Sequence, residues 1–133
     1  MMKLVTRDTD YALRALCCMA VNKEKIFTVS QLVSKLKIPR PFLRKILQAL
    51  DKKRILKSYK GRSGGFELAQ PAERIFLLDL MKIFQGPLRI NECLFKGDIC
   101  PEIKRCPLKK QVDKIERGVL SELKDISVAS LLK

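Results

Sequence analysis

Pro39 restricts this chain more than any other single residue. It stands between two short amphipathic periods, and a residue before proline is pushed out of the helical region, so Lys37-Ile38-Pro39 must be a turn. Upstream, Thr28 or Ser30 caps a short helix with Leu32, Val33 and Leu36 on its apolar side. Downstream, over residues 40 to about 53, Leu43, Ile46, Leu47 and Leu50 form one apolar stripe. Two short helices across a tight turn, the second rich in Arg and Lys, make the pattern of a helix-turn-helix. Residues 55–60 and 66–69 then flank Gly61-Arg62-Ser63-Gly64-Gly65, which predicts two short strands joined by a Gly-rich turn. A hairpin directly behind a helix-turn-helix is a wing.

The remaining segments fit around this unit. Thr9 and Asp10 cap a first helix reaching about residue 21, with Ala12, Ala15, Leu16, Met19 and Ala20 at helical spacing. Residues 73–85 read as a fourth helix, stopped by Gly86-Pro87. Residues 88–107 hold Gly97, Pro101, Pro107 and three cysteines with no clear period. From there Leu108, Val112, Ile115, Val119, Leu123 and Ile126 follow in steps of 4, 3, 4, 4 and 3, one narrow apolar seam among charged residues. A lone helix with such a seam needs a partner, and a second copy of the chain is the simplest one. Gly118 inside it costs about 1 kcal/mol relative to Ala, which close packing would explain. Residues 127–132 read as a short terminal turn. The expected fold is mainly α with a small β-hairpin wing, a winged helix-turn-helix followed by a long C-terminal dimerisation helix. Its parts are a DNA-binding region over residues 1–87, a cysteine loop over 88–107, and the dimerisation helix with its tail over 108–133.

Charge selects the partner. The 133 residues hold 28 Lys and Arg against 14 acids and no His, a net charge of +14. From residue 1 to 72 there are 16 basic and 5 acidic residues, a net of +11, whereas 73–133 has 12 and 9, a net of +3. Between Lys35 and Arg62 eleven basic residues meet one acid, Asp51. Such a stretch favours a polyanion, nucleic acid before a membrane surface. With 6% aromatic residues and no Trp, the chain lacks the stacking surface of single-strand RNA readers, and its core must be mostly aliphatic. No apolar run approaches the roughly 18 residues of a membrane span, and the first residues lack a signal-peptide core, so the cytoplasm is the expected compartment. With no His, no nucleophile–base pair and no phosphate loop, an enzyme is not expected.

Double-stranded DNA is the expected ligand of the first half. Arg40, Arg44 and Lys45 lie off the apolar stripe of the third helix, where Arg can bridge guanine acceptors and Lys can meet phosphate. Thr28, Ser30 and Pro39 border that helix, and Lys60, Arg62 and Ser63 lie at the wing, with Arg62 placed for a minor groove. Any one of these could be a solvated surface charge, and the glycines serve the hairpin turn in either case. In the second half, Cys93, Cys100 and Cys106 supply three soft ligands within fourteen residues. Six and five residues separate them, more than a zinc knuckle uses, and Pro101 and Pro107 follow cysteines directly as in some iron-sulfur loops. Lys96, Lys104, Arg105 and Lys109 favour the thiolate form. Cys17 and Cys18 sit in the apolar run of the first helix and read as core. A fourth ligand would have to be another Cys, a carboxylate, water or a small molecule. Asp8 and Asp10 are the acids of interest, although composition alone makes each a helix cap.

The opening Thr9-Asp10-Tyr11-Ala12-Leu13-Arg14-Ala15-Leu16, the wing Gly61-Arg62-Ser63-Gly64-Gly65-Phe66-Glu67-Leu68-Ala69 and the three-cysteine loop occur in that order. Together they resemble the Rrf family of bacterial winged-helix transcription regulators over essentially the whole chain. The resemblance implies a homodimer crossed by its C-terminal helices and an iron-sulfur cluster (2Fe-2S or 4Fe-4S) on the three cysteines. It also implies a fourth ligand that varies among members. Some use a His shortly after the last cysteine, where this chain has Lys109. Others use an acidic residue of the opening motif from the other subunit, which corresponds to Asp10, with Asp8 two residues earlier. The reading is therefore a homodimeric DNA-binding regulator sensing redox state, nitric oxide or iron-sulfur status at a near-palindromic operator. Its rivals are a cluster-free thiol switch or zinc-containing regulator of the same fold, and a small electron-transfer protein.

Overall fold

The computed structural model describes residues 4–22, 26–61, 64–88 and 107–132. The chain runs α1 (Arg7–Val21), α2 (Val29–Leu36), α3 (Arg40–Lys52), β1 (Leu56–Tyr59), β2 (Gly65–Leu68), a 3₁₀ turn (Ala72–Arg74), α4 (Leu77–Phe84), α5 (Pro107–Leu123) and a last 3₁₀ turn (Ala129–Leu131). The helices and the hairpin form the winged helix-turn-helix that the patterning predicts.

One core joins the elements. Ala12, Ala15, Leu16 and Met19 of α1 meet Leu32 of α2, Leu43, Ile46, Leu47 and Leu50 of α3, and Ile55 and Leu56 at the root of the wing. The small Ala12 and Ala15 let the other helices approach α1 closely, and each buried Leu or Ile contributes roughly 1.5–3 kcal/mol. Phe27, buried just before α2, is the aromatic exception in an aliphatic core.

Phe27 also fastens the wing. Its N–H donates to the Phe66 carbonyl at 2.8 Å, and the Phe66 N–H donates back to the Phe27 carbonyl at 2.8 Å. The strands pair antiparallel, Leu56 opposite Leu68 and Tyr59 opposite Gly65. A Cβ at Gly65 would lie 2.4 Å from the Phe27 carbonyl oxygen, and one at Gly64 would lie 2.3 Å from that of Tyr59. These glycines therefore serve close backbone approach as well as the turn.

Three local expectations shift. The first helix begins at Arg7 after Thr6, not after Thr9 or Asp10. Thr9 is fully buried and its hydroxyl donates to Gln85 Oε1 at 2.8 Å, so a tertiary contact takes the side chain expected to cap. The single helix expected over 73–85 is broken into the 3₁₀ turn and α4, with Ile75 and Phe76 extended between them. The C-terminal tail causes the break, because the Leu77 N–H donates to the Ile126 carbonyl at 2.9 Å and the Val128 N–H to the Ile75 carbonyl at 2.8 Å. Finally, α5 ends at Leu123, so Ile126 of the expected seam lies beyond the helix. Val128 is fully buried in the main core, which ties the tail to the winged helix-turn-helix.

Leu123, with Val119 and Ile126, packs on Leu77 and Met81 of α4. Farther toward its start, Leu108 and Ile115 of α5 are 65% and 58% exposed and join neither core cluster of the described residues. A Cβ at Gly118 meets nothing within 4 Å among the described residues, so the close packing expected there is not supplied by them.

Candidate nucleic-acid interface

The turn of the helix-turn-helix is fixed at both ends. Thr28 caps α2 through a reciprocal box: its hydroxyl accepts from the Gln31 N–H at 3.1 Å, and Gln31 Oε1 accepts from the Thr28 N–H at 2.9 Å. Lys37 closes α2 in the left-handed region at φ 57°, Ile38 is buried, and the exposed Pro39 is the N-cap of α3. Between Thr28 and Ser30 it is thus Thr28 that caps. Ser30 is exposed, and its hydroxyl accepts from Arg40 Nη2 at 2.9 Å. That bond holds the first side chain of α3 against α2.

Burying Leu43, Ile46, Leu47 and Leu50 leaves Arg40, Pro41, Phe42, Arg44, Lys45 and Gln48 of α3 exposed. Among the described residues, none of Arg40, Arg44, Lys45 and Lys60 has a carboxylate at ion-pair distance. Asp51, the one acid of the basic stretch, is turned away into a bond from the Ser58 hydroxyl at 3.1 Å. Lys60 is exposed at the end of β1, beside Tyr59, whose hydroxyl donates to Glu67 Oε2 at 2.7 Å. The structure thus brings Ser30, Arg40, Arg44, Lys45 and Lys60 onto exposed positions of the helix-turn-helix and wing. Arg62 and Ser63 lie outside the described residues.

Sequence reasoning missed two residues. The guanidinium of Arg7, at the start of α1, lies 4.6 Å from the centre of the Phe42 ring on α3. Gln85, at the end of α4, holds the start of α1. Its Oε1 accepts from the Thr6 N–H at 3.1 Å and the Thr9 hydroxyl at 2.8 Å, and its Nε2 donates to the Leu4 carbonyl at 2.9 Å. An isolated exposed Phe among basic residues was the available signal for the first, and nothing in the sequence signalled the second.

Cys93, Cys100 and Cys106 lie outside the described residues, and among the described residues no three Cys, Asp or Glu side chains converge to hold a metal ion. Of the candidate carboxylates, Asp10 accepts from Arg14 Nε at 2.9 Å, one helical turn on, and Asp8 lies 4.0 Å from Arg7 Nε. Both pairs are solvent-exposed and worth about 0–1 kcal/mol, so either carboxylate can exchange its partner at little cost. Cys17 and Cys18 pack against the core from α1, as their apolar surroundings predict. Burial, and secondarily the neighbouring Cys18, pushes the Cys17 thiol up, which disfavours its thiolate.

A pinned two-helix reader, a wing fastened to it and unpaired cations across both define a DNA-binding regulator of the winged helix-turn-helix class. The chain belongs to the Rrf2 family, whose model, described as an iron-dependent transcriptional regulator, matches residues 5–133. It is 31% identical over 130 residues to Protein aau3 of Rhizobium meliloti (strain 1021), covering 97% of this chain and 84% of that protein. It is 32% identical over 133 residues to a protein of Aquifex aeolicus (strain VF5) named for HTH-type transcriptional regulation, covering 92% and 91%. Among solved structures, CymR (YrzC), the global cysteine regulator of B. subtilis, superposes with a TM-score of 0.80 at 19% identity, over 99% of this chain and 97% of that one. IscR of T. potens superposes at 0.74 with 20% identity, over 98% and 86%. At these identities the structural likeness establishes the winged-helix fold. The chain is a transcription regulator and not an enzyme, and among the described residues no helix is long and apolar enough to cross a membrane.

Proposed function

We propose that this protein is a cytoplasmic homodimer that binds a near-palindromic operator and senses redox state, nitric oxide or iron-sulfur status through a cysteine-bound iron-sulfur cluster. The observation that carries the sensing half is the grouping of Cys93, Cys100 and Cys106 within fourteen residues of a chain in this family. Three thiolates and a carboxylate form a donor set suited to such a cluster. When bound, the cluster supplies a centre whose oxidation or ligand loss changes the loop that holds it.

The residues of this chain do the rest. Asp10 offers an exposed carboxylate that exchanges Arg14 for the cluster of the partner subunit, with Asp8 as the nearby substitute. The exposed Leu108 and Ile115 of α5 support a second copy of the chain as the partner of the seam. Two α3 helices related by a two-fold axis would then enter successive major grooves about 34 Å apart. Arg40, Arg44 and Lys45 face the groove and its phosphates, with Thr28, Ser30 and Pro39 at its border. Lys60, Arg62 and Ser63 of the wing reach the adjacent backbone or minor groove.

Anaerobic reconstitution tests the reading, with iron and sulfide measured per chain and the visible spectrum recorded. The expected result is a coloured protein with matched iron and sulfide, lost in Cys93→Ala and made labile in Asp10→Ala. Operator affinity in identical salt should differ between cluster-bound and cluster-free dimers. A colourless, iron-free protein that still binds DNA would replace the cluster by a thiol switch or a zinc site.

A further inference from the structure

The first turn of α3 is bracketed by two held arginines. Arg40 is tied to α2 through the Ser30 hydroxyl at 2.9 Å, and Arg7 is stacked on Phe42 at 4.6 Å. At 3.6 residues per turn, Arg40 and Phe42 leave α3 on opposite flanks, each roughly a quarter-turn from the centre of its exposed face. Pro41, Lys45 and Gln48 occupy that centre, all exposed. A recognition helix enters the major groove by its first residues. With its side chains it is about 10–12 Å across, and the groove is about 12 Å wide, so its flanks face the sugar–phosphate walls and its centre faces the base edges. A guanidinium held on a flank is therefore at a phosphate, not at a base.

We propose that Arg7 is a phosphate-binding residue of this regulator, held in place by the Phe42 ring. Arg40 and Arg7 then grip the two backbones that border the groove entered by α3. This rests on α3 being the helix that enters DNA. Phe42 is the positioning residue. It is 39% exposed on the face that carries Arg40, Arg44 and Lys45, an apolar cost that stacking under a guanidinium offsets. Among the described residues the carboxylate at ion-pair distance from Arg7 is that of Asp8, 4.0 Å from Nε with both side chains half exposed or more, a pair that phosphate can displace. Arginine suits the place because its planar group can stack and donate to an oxyanion together.

The test uses the full chain, purified anaerobically with iron and sulfide supplied. A duplex is first selected from a random-sequence pool, and affinity is then measured against salt on that duplex and on a scrambled one. Arg7→Ala is expected to weaken both by the same factor, about tenfold per head and so about a hundredfold for a two-headed dimer, leaving the ratio between them unchanged. The slope of log affinity against log salt should fall by about one per head, since each phosphate contact contributes about 0.9. Arg7→Lys should restore the slope but not the full affinity. Phe42→Ala should weaken binding when Arg7 is present and add nothing in the Arg7→Ala background. An Arg7→Ala protein with an unchanged slope overturns the proposal whatever its thermal stability, and so does a Phe42→Ala effect of full size without Arg7. Where Ala at position 7 lowers the folded fraction, Arg7→Gln gives the same reading. A pool in which nothing is enriched would overturn the DNA reading and this proposal together, whereas an enriched duplex with an Arg7-independent slope overturns the proposal alone.

Discussion

Gly64 and Gly65 show how much a single missing methyl group decides. The hairpin closes only because the Gly64 backbone sits against the Tyr59 carbonyl, and the wing joins the helices only because Gly65 sits against Phe27. A Cβ at either position meets backbone oxygen, which cannot rotate away as a side chain could. Gly64→Ala is expected to destabilise the protein by about 1–3 kcal/mol, the usual cost of overpacking, and to weaken DNA binding through a displaced wing. Thermal unfolding and operator titration of the same sample check this. An unchanged midpoint would mean that the hairpin has a second low-energy path. Arg7 and Phe42 make the complementary point, because neither residue has a marked role until the other is beside it.

At the scale of elements, α2 and α5 are stabilised in different ways. α2 has eight residues, too few to persist alone, and is held by its Thr28–Gln31 box and by Leu32 in the core. α5 has 17 residues, yet among the described residues its packing on α4 lies toward its end, and Leu108 and Ile115 are exposed. Such a helix is completed by another surface of the same periodicity. Ile115→Lys is expected to convert the proposed dimer into a folded monomer, because Ile115 is 58% exposed and joins neither core cluster of the described residues. Sedimentation velocity at micromolar concentration, with circular dichroism to confirm folding, provides the check. Unchanged sedimentation would place the dimer contact elsewhere.

Across the whole molecule, Gln85 joins the end of α4 to the start of α1. It accepts from Thr6 and Thr9, 79 and 76 residues away in sequence, and stands one residue before Gly86 and the segment that leads to the cysteines. Through Thr6 the same knot adjoins Arg7, whose guanidinium lies on α3. Gln85→Leu removes the 2.8 Å acceptor of the fully buried Thr9 hydroxyl, leaves it only the Thr6 hydroxyl at 3.2 Å, and is expected to cost about 1 kcal/mol or somewhat more. Adding Thr9→Val removes the weakly held hydroxyl and should recover part of that loss, which chemical denaturation of the single and double variants measures. Additive losses would show that the bond contributes little.

By itself the sequence determined the helix-turn-helix, the wing and the cationic face. Each depends on neighbours a few residues apart: Pro39 excluding helix before it, leucines repeating at helical spacing, glycines at one turn, and eleven basic residues in one stretch. Tertiary structure decided where those local rules gave way. The regular pattern of residues 73–85 carries no sign that the tail will pair with Ile75 and Leu77 and break the helix there. The apolar seam likewise gives no warning that it leaves the helix after Leu123, or that Val128 enters the main core. Thr9 looked like a cap because capping is a local rule, and it became a buried donor because Gln85 arrives from the far end of α4. Arg7 acquires its place from the ring that α3 sets under it. Local chemistry sets periodicity, turns and charge, whereas a contact between residues dozens of positions apart exists only once the core has closed and brought both backbones to the same place.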